Sequence, residues 1–355
     1  MQTINQFLKK TMNEFPFLKP LGCYKNGNHF TAIFHDGTKI NETIEETDDH
    51  FTYEFPSNFD IHINNRCNAG CPYCHEGSTK DGEVPSLVDM ILENKGRVIK
   101  HIDGDRYTFV GKLTPFYDSL RAGTEMAIGG GNIFESDPLE FEFFLEMNKR
   151  KHILSNITIN QIHVKPNMDK LKKWVDNGLV HGIGVSLVNS KDEEFWKCVD
   201  QLGNNVVVHT IAGILTEKDL PYLKNRKILV LGYKHLRRGN DYFSETVQKN
   251  IDWLRDNLKD VSKTVKLMSF DCLGIEQLNP KNNLSIGDKD WNTLFQGSDT
   301  DVKDAEGNIT CATMYIDLVG GAKCARMSTA ALDKRYSFDY NERIEDVFKK
   351  SIKDW

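Results

Sequence analysis

A chain of 355 residues with a net charge of −6 and no dense block of lysine and arginine carries no electrostatic footprint for nucleic acid. Hydrophobic residues are 39% and charged residues 27%, as in globular proteins, and no apolar run approaches the roughly 20 residues that a bilayer crossing needs. The opening Met1-Gln2-Thr3-Ile4-Asn5 lacks the basic and apolar regions of a secretory signal, so the default expectation is a cytoplasmic protein with no membrane partner.

In chain order, Asn5–Glu14 is a helix candidate. His29–Phe34 and Thr38–Ile40 flank the turn His35-Asp36-Gly37 and predict a hairpin, and the acidic run Glu42–His50 reads as a loop. From about residue 57 to 270, short apolar runs alternate with helical patterns. Strands are predicted at Phe59–Ile63, Glu125–Ile128, Ile157–Ile162, Gly182–Leu187, Val206–Ile211, Ile228–Leu231 and Val265–Ser269. Helices are predicted at Ser86–Asn94, Pro138–Lys149, Met168–Asn177, Glu193–Leu202, Glu217–Leu223 and Ser244–Leu258. Such alternation argues for an α/β fold with a parallel sheet, wound open or curled into an incomplete barrel of six or seven units. Lys95–Leu113 breaks the rhythm as an insertion with a small hairpin around Asp103-Gly104-Asp105. After residue 271 the rhythm stops; Thr313–Leu318 and Ala322–Met327 pair around Gly320-Gly321, and a helix over Glu342–Ile352 ends the chain. The expected organisation is an N-terminal β-hairpin extension (1–56), a core (57–275) and a C-terminal cap (276–355).

Three of the eight cysteines, Cys67, Cys71 and Cys74, follow the first core strand in the spacing C-x3-C-x2-C. Disulfide frameworks belong mainly to short secreted chains, so thiolate ligation of metal is the better reading. Each thiolate on such a loop can take one iron of a cubane, leaving the fourth iron to an exchangeable ligand with an amine and a carboxylate. Gly70 lets the loop turn between two ligands and Pro72 stiffens it. Farther on, Glu125–Ile128 runs into the triplet Gly129-Gly130-Gly131, where the absence of side chains permits close backbone approach.

With Tyr73 placing an aromatic ring before the last cysteine, this loop resembles that of the radical S-adenosylmethionine (SAM) superfamily, without a subfamily that can be named. The resemblance covers about residues 57–270 and implies a partial (β/α)6 barrel, with a [4Fe–4S] cluster on Cys67, Cys71 and Cys74. It further implies SAM as cofactor, reductive cleavage to a 5′-deoxyadenosyl radical, hydrogen abstraction from substrate, and a low-potential electron donor such as flavodoxin or ferredoxin. Gly129, Gly130 and Gly131 match the turn that accepts from the SAM amine, although no acidic residue follows directly; Glu135 is the nearest. Tyr73 corresponds to an adenine neighbour, Ser186 to a ribose contact, His209–Gly213 to the adenine wall, and Leu231 and Gly232 to backbone contacts with adenine.

His75 and Glu76 are candidate catalytic residues, or they fix the loop. Lys234, Arg237 and Arg238 form a basic group suited to clamping an anion, or to lying solvated. Cys311 and Cys324 bracket the C-terminal hairpin and, with Cys272, outline an auxiliary iron–sulfur cluster of the twitch type; no cysteine follows Cys324, and reduced core thiols are the plainer expectation. Cys23 and Cys198 are lone and read as structural. The substrate class stays open among peptide, small metabolite and nucleotide. Two other functions fit parts of the pattern: an iron–sulfur electron carrier or sensor without SAM chemistry, and a zinc-stabilised interaction protein.

Overall fold

The computed structural model describes residues 2–355 apart from 36, 49, 95, 101–106 and 295–301. The first helix, Ile4–Glu14, starts at a capping box in which Thr3 and Gln6 exchange hydrogen bonds. Three antiparallel strands follow in the order β1 (Pro20–Asn26), β2 (His29–Phe34) and β3 (Lys39–Thr43). The predicted hairpin is β2 with β3, its turn residue Asp36 lying outside the described residues. No periodicity announces β1, because its first three residues are all exposed. Phe7, Leu18, Phe30, Ala32 and Phe34 give this element its own small core.

The main sheet is built from β4 (Asn58–Asn64), then, after a separate ribbon of β5 (Arg97–Lys100) and β6 (Tyr107–Val110), from β7 (Glu125–Gly130), β8 (Leu154–Asn160), β9 (Gly182–Ser186), β10 (Val206–Ile211), β11 (Lys227–Leu231) and β12 (Leu267–Phe270). The antiparallel β5–β6 ribbon flanks the predicted turn at 103–105, which lies outside the described residues. The other seven strands lie in sequence order, β4-β7-β8-β9-β10-β11-β12, each parallel to its neighbours. Alternate residues face outward under the helices: Phe59 and Ile61, Met126 and Ile128, Ile157 and Ile159 are all at most 2% exposed. This period of two is what makes the strands readable in the sequence.

Asp60 on β4 and Asp271 just past β12 line one cavity. Six strand spacings of about 4.8 Å would part them by roughly 29 Å in a flat sheet. The sheet therefore curls, bringing its two ends towards each other around an interior space.

Past β12 the expectation of a cap is modified. β13 (Thr313–Asp317) lies parallel on the outer edge of β4, in register from Thr313 beside Asn58 to Asp317 beside His62, and β14 (Lys323–Ala325) and β15 (Tyr336–Ser337) continue the same sheet antiparallel. An incomplete curl leaves β4 with unpaired peptide groups along one edge, and β13 satisfies them. The last helix, Ile344–Ser351, buries Ile344, Val347 and Phe348. Among the described residues, no helix is long and apolar enough to cross a membrane.

Candidate active site

Parallel strands collect their following loops at their C-terminal ends, and both motifs of the sequence emerge there. Asn64, fully buried at the end of β4, donates through Nδ2 to Asn132 O (3.2 Å) and Ser136 Oγ (3.0 Å). Gly131 N–H donates to Asn64 O (2.6 Å) and Asn132 N–H to Arg66 O (2.7 Å). The root of the cysteine loop is thus stitched to the glycine turn. A Cβ on Gly131 would stand 2.3 Å from Arg66 O, and one on Gly130 2.2 Å from the His62 ring, so both glycines are required by this junction itself. Gly129 differs: its Cβ would meet nothing nearer than Thr158 Cβ at 3.6 Å.

The loop then turns at Gly70, whose φ is +65°, and presents Cys67, Cys71 and Cys74 to one cavity shared with Gly130, Gly131 and Ser186. Ala69 N–H points at Cys67 Sγ (3.4 Å) and Asn160 Nδ2 donates to Cys71 Sγ (3.3 Å), while His163 Nε2 lies 3.9 Å from Cys67 Sγ. Burial pushes the Cys67 and Cys71 thiols up, and the neighbouring thiols push further in the same direction. Such thiols gain from a cation that takes their proton's place. Among the described residues, no three His, Cys, Asp or Glu side chains converge closely enough to chelate a single ion. Three thiols on one loop that share a cavity can each take a separate iron of a cubane. Asn160 and His163, at the end of β8, were not legible as site residues; only their place past a strand's C-terminus hints at them.

The basic group after β11 grips this loop. Arg238 donates from Nε to Cys71 O (3.1 Å) and from Nη1 to Ser78 O (2.9 Å), while Arg237 Nη1 reaches Glu76 Oε2 at 3.3 Å. Both guanidiniums thus bond to the cysteine loop, although Arg237 stays about half exposed, with a side-chain exposure of 49%. Arg238→Ala should keep the fold but free the loop. Two charge-assisted bonds are worth roughly 1.5–3 kcal/mol each when intact, so reconstituted protein is expected to lose iron to a chelator about tenfold faster or more. Lysine at 238 should rescue little, since it lacks the planar fork.

Glu76 sits in a dense ion network. Its Oε1 lies 3.0 Å from His75 Nε2 and its Oε2 3.4 Å from His62 Nδ1, which also meets Asp317 Oδ1 at 3.0 Å and Tyr315 OH at 3.2 Å. Burial raises the Glu76 carboxyl, but the hydrogen bond with His75 and the charges around it outweigh that and hold it well below the usual range. Arg335 Nη1 closes the chain on Asp317 at 3.3 Å. Glu76 and His75 thus tie the cysteine loop to β4 and β13, favouring the loop-fixing alternative.

Tyr73 packs edge-on against Tyr242 (5.7 Å between centroids) and lines the cavity together with Leu231 and Gly232. A second space of about 550 Å³ opens below the first and shares Ser186, Gly130, Thr158 and Leu231 with it. Of the cysteines read as an auxiliary cluster, Cys324 is buried beside Tyr336 O, its thiol pushed up to about 12 by burial, while Cys311 is buried near Thr313 O, its thiol raised by burial and further by Cys272.

No family model matches the sequence, and no curated protein matches it. Among solved structures, the fold is similar to that of Streptococcus suis SuiB bound to precursor peptide SuiA, with a TM-score of 0.51 at 10% identity. The match covers 84% of this chain and 65% of that one, so the chain spans a little under two thirds of its neighbour's length. At such identity the likeness is one of fold alone.

Proposed function

We propose that the chain is a radical SAM enzyme built on a partial (β/α)6 barrel, with residues 57–275 as its core and Cys67, Cys71 and Cys74 holding a [4Fe–4S] cluster. The observation that carries this reading is the junction itself: three thiols on one glycine-turned loop, bonded to the glycine turn after β7 and sharing its cavity. When bound, the cluster would supply an electron at low potential, and SAM the adenosyl group that becomes the hydrogen-abstracting radical. The chain's own residues do the rest. Arg238 and Asn64 hold the loop in shape, and Asn160 and the Ala69 amide direct N–H groups at the sulfurs, which tunes their basicity. Gly129, which lines the neighbouring space and whose Cβ would meet no close contact, leaves room for an amine at the strand end, Ser186 offers a hydroxyl, and Tyr73 and Leu231 give an apolar wall for a flat ring.

The electron would come from a low-potential carrier such as flavodoxin or ferredoxin. A peptide substrate is favoured by the fold neighbour, which was solved with a precursor peptide; the space of about 550 Å³ admits a single side chain or a small molecule. The test is anaerobic reconstitution followed by dithionite and SAM. About four irons per chain and release of 5′-deoxyadenosine are expected. Zinc in place of iron would sink the proposal, and iron without nucleoside release would leave an electron carrier.

A further inference from the structure

We propose that the interior space of the curled sheet is the substrate site and that it takes a group bearing a protonated amine, held at Asp60. The inference deepens the enzymatic reading above and rests on it. Its starting point is what the inward faces of the strands carry. Where the outward faces bear isoleucine, valine and phenylalanine, the inward ones bear only Ala127 and Gly129 on β7 and Gly182 and Gly184 on β9, with the polar Asn156 and Thr158 on β8 between them, so the space stays open. Around it stand Asp60 on β4, His209 on β10 and Asp271 past β12. A sheet that needed only a core would fill this volume with branched apolar residues.

Asp60 is the unusual member. Its carboxylate is open to the space although protein surrounds it on every side, and burial pushes its pKa up. Among the described residues, none hydrogen-bonds or ion-pairs with it. The groups facing it are otherwise engaged. His62, on its own strand, lies between Glu76 and Asp317; Tyr315, across on β13, meets His62. Asp271 accepts from the Gly232 and Gly274 amides through Oδ1. Lys234, after β11, donates to Ser328 Oγ at 3.0 Å and lies 3.3 Å from His75 Nε2, with no carboxylate within ion-pair distance.

His209 adds a second open valence. Burial pushes its pKa down to about 4, so the ring is neutral, and Nδ1 is buried without a partner. A Cβ on Gly184 would stand 2.3 Å from this ring, so glycine there is what admits the imidazole. Lys234, Asn156, Thr158 and Ser186 also line the space with donors, and the Lys234 charge draws the Asp60 pKa down against burial, but among the described residues neither Asp60 nor Asp271 has an ion-pair partner. A carboxylate without an ion pair calls for a ligand that brings donors and positive charge. A bare metal ion does not fit, because no three such side chains among the described residues converge on one point. A carboxylate or phosphate would meet Asp60 as a like charge.

The probe is n-butylamine added to the full-length protein, with n-butanol and butyrate as neutral and anionic counterparts, read by saturation-transfer NMR. Binding of the amine is expected, at least tenfold weaker in Asp60→Asn and retained in Asp60→Glu, with no binding of the alcohol. Equal amine binding in wild type and Asp60→Asn, no amine binding at all, or butyrate binding in its place would each overturn the proposal. The probe requires neither iron nor SAM, so its failure is separable from failure of the enzymatic reading. Thermal melting supplies a second readout. The Asp60 carboxyl titrates above its unfolded value, so its stabilising effect is present below about pH 3.9 and is lost as pH rises through the folded value. Asp60→Asn should therefore melt higher than wild type at pH 8, with the gap closing towards pH 4; a variant that melts lower at pH 8 would mark Asp60 as structural and overturn the assignment.

Discussion

Cys71→Ala protein, reconstituted without oxygen, is expected to hold almost no iron and to release no 5′-deoxyadenosine. Cys71 is the middle ligand, and with it gone a cubane keeps only two protein thiolates, which do not retain it against chelators or water. The fold should survive. The Cys71 side chain faces the cavity, not the helix-covered core, and the loop's backbone stays pinned by the Cys67 amide on Thr79 O and by Arg238 on Ser78 O. Circular dichroism and melting should stay near wild type while iron falls from about four per chain to near zero. Cys198→Ala and Cys311→Ala are the controls. Cys198 packs into the helix Glu193–Leu202 and Cys311 is buried near Thr313, so both variants should keep their iron. Iron loss in Cys311→Ala would mean a second cluster after all.

The glycine turn offers the second large effect, and it divides one motif into two roles. Gly130→Ala forces an L residue to φ +123° and drives its Cβ to 2.2 Å from the His62 ring and 2.5 Å from Asn64 O. The backbone conformation costs roughly 1–2 kcal/mol and overpacking about 1–3. A loss of about 3 kcal/mol is a large share of a typical domain's stability, and a lower denaturant midpoint should report it. Gly129→Ala meets only ordinary contact with Thr158 and should leave that midpoint unchanged. Its new methyl would instead occupy the strand end where an amine is to bind, so SAM affinity should fall about tenfold or more, or 1.4 kcal/mol. If Gly129→Ala binds SAM as wild type does, the amine lies elsewhere.

The contrast shows what a sequence can carry. Four of the parallel strands, β4, β7, β8 and β9, were legible because outward apolar residues alternate with inward small or polar ones, β10 and β11 as continuous apolar runs, and the cysteine loop because its spacing is tied to a chemistry. The predicted strand Ile157–Ile162 overran, since Ile162 is apolar yet sits half exposed in a turn closed by Asn160. The helix predicted over Ser244–Leu258 ends at Asp256, where Asn257 caps the first helix and a second runs on over Leu258–Thr264. The bond of Arg238 to the cysteine loop, and Asn160 altogether, escaped notice because these roles depend on meeting Cys71 from 167 and 89 residues away. Asp60 escaped for a different reason: in a strand of alternating faces, an aspartate reads as solvent-facing, and only the curl of the sheet makes that face an interior.

The pairing of β13 with β4 has a consequence for how the chain is made. His62 waits for Tyr315, 253 residues downstream, before its strand has a partner on that side. During synthesis from the N-terminus, the 253 residues from His62 to Tyr315 emerge while the edge of β4 stands open, at a stage when it could recruit a strand from another nascent chain. Closing so distant a contact adds to the time before the native sheet is complete. Expression at lower temperature or slower translation is then a practical matter for obtaining this protein, set by how far downstream β13 lies.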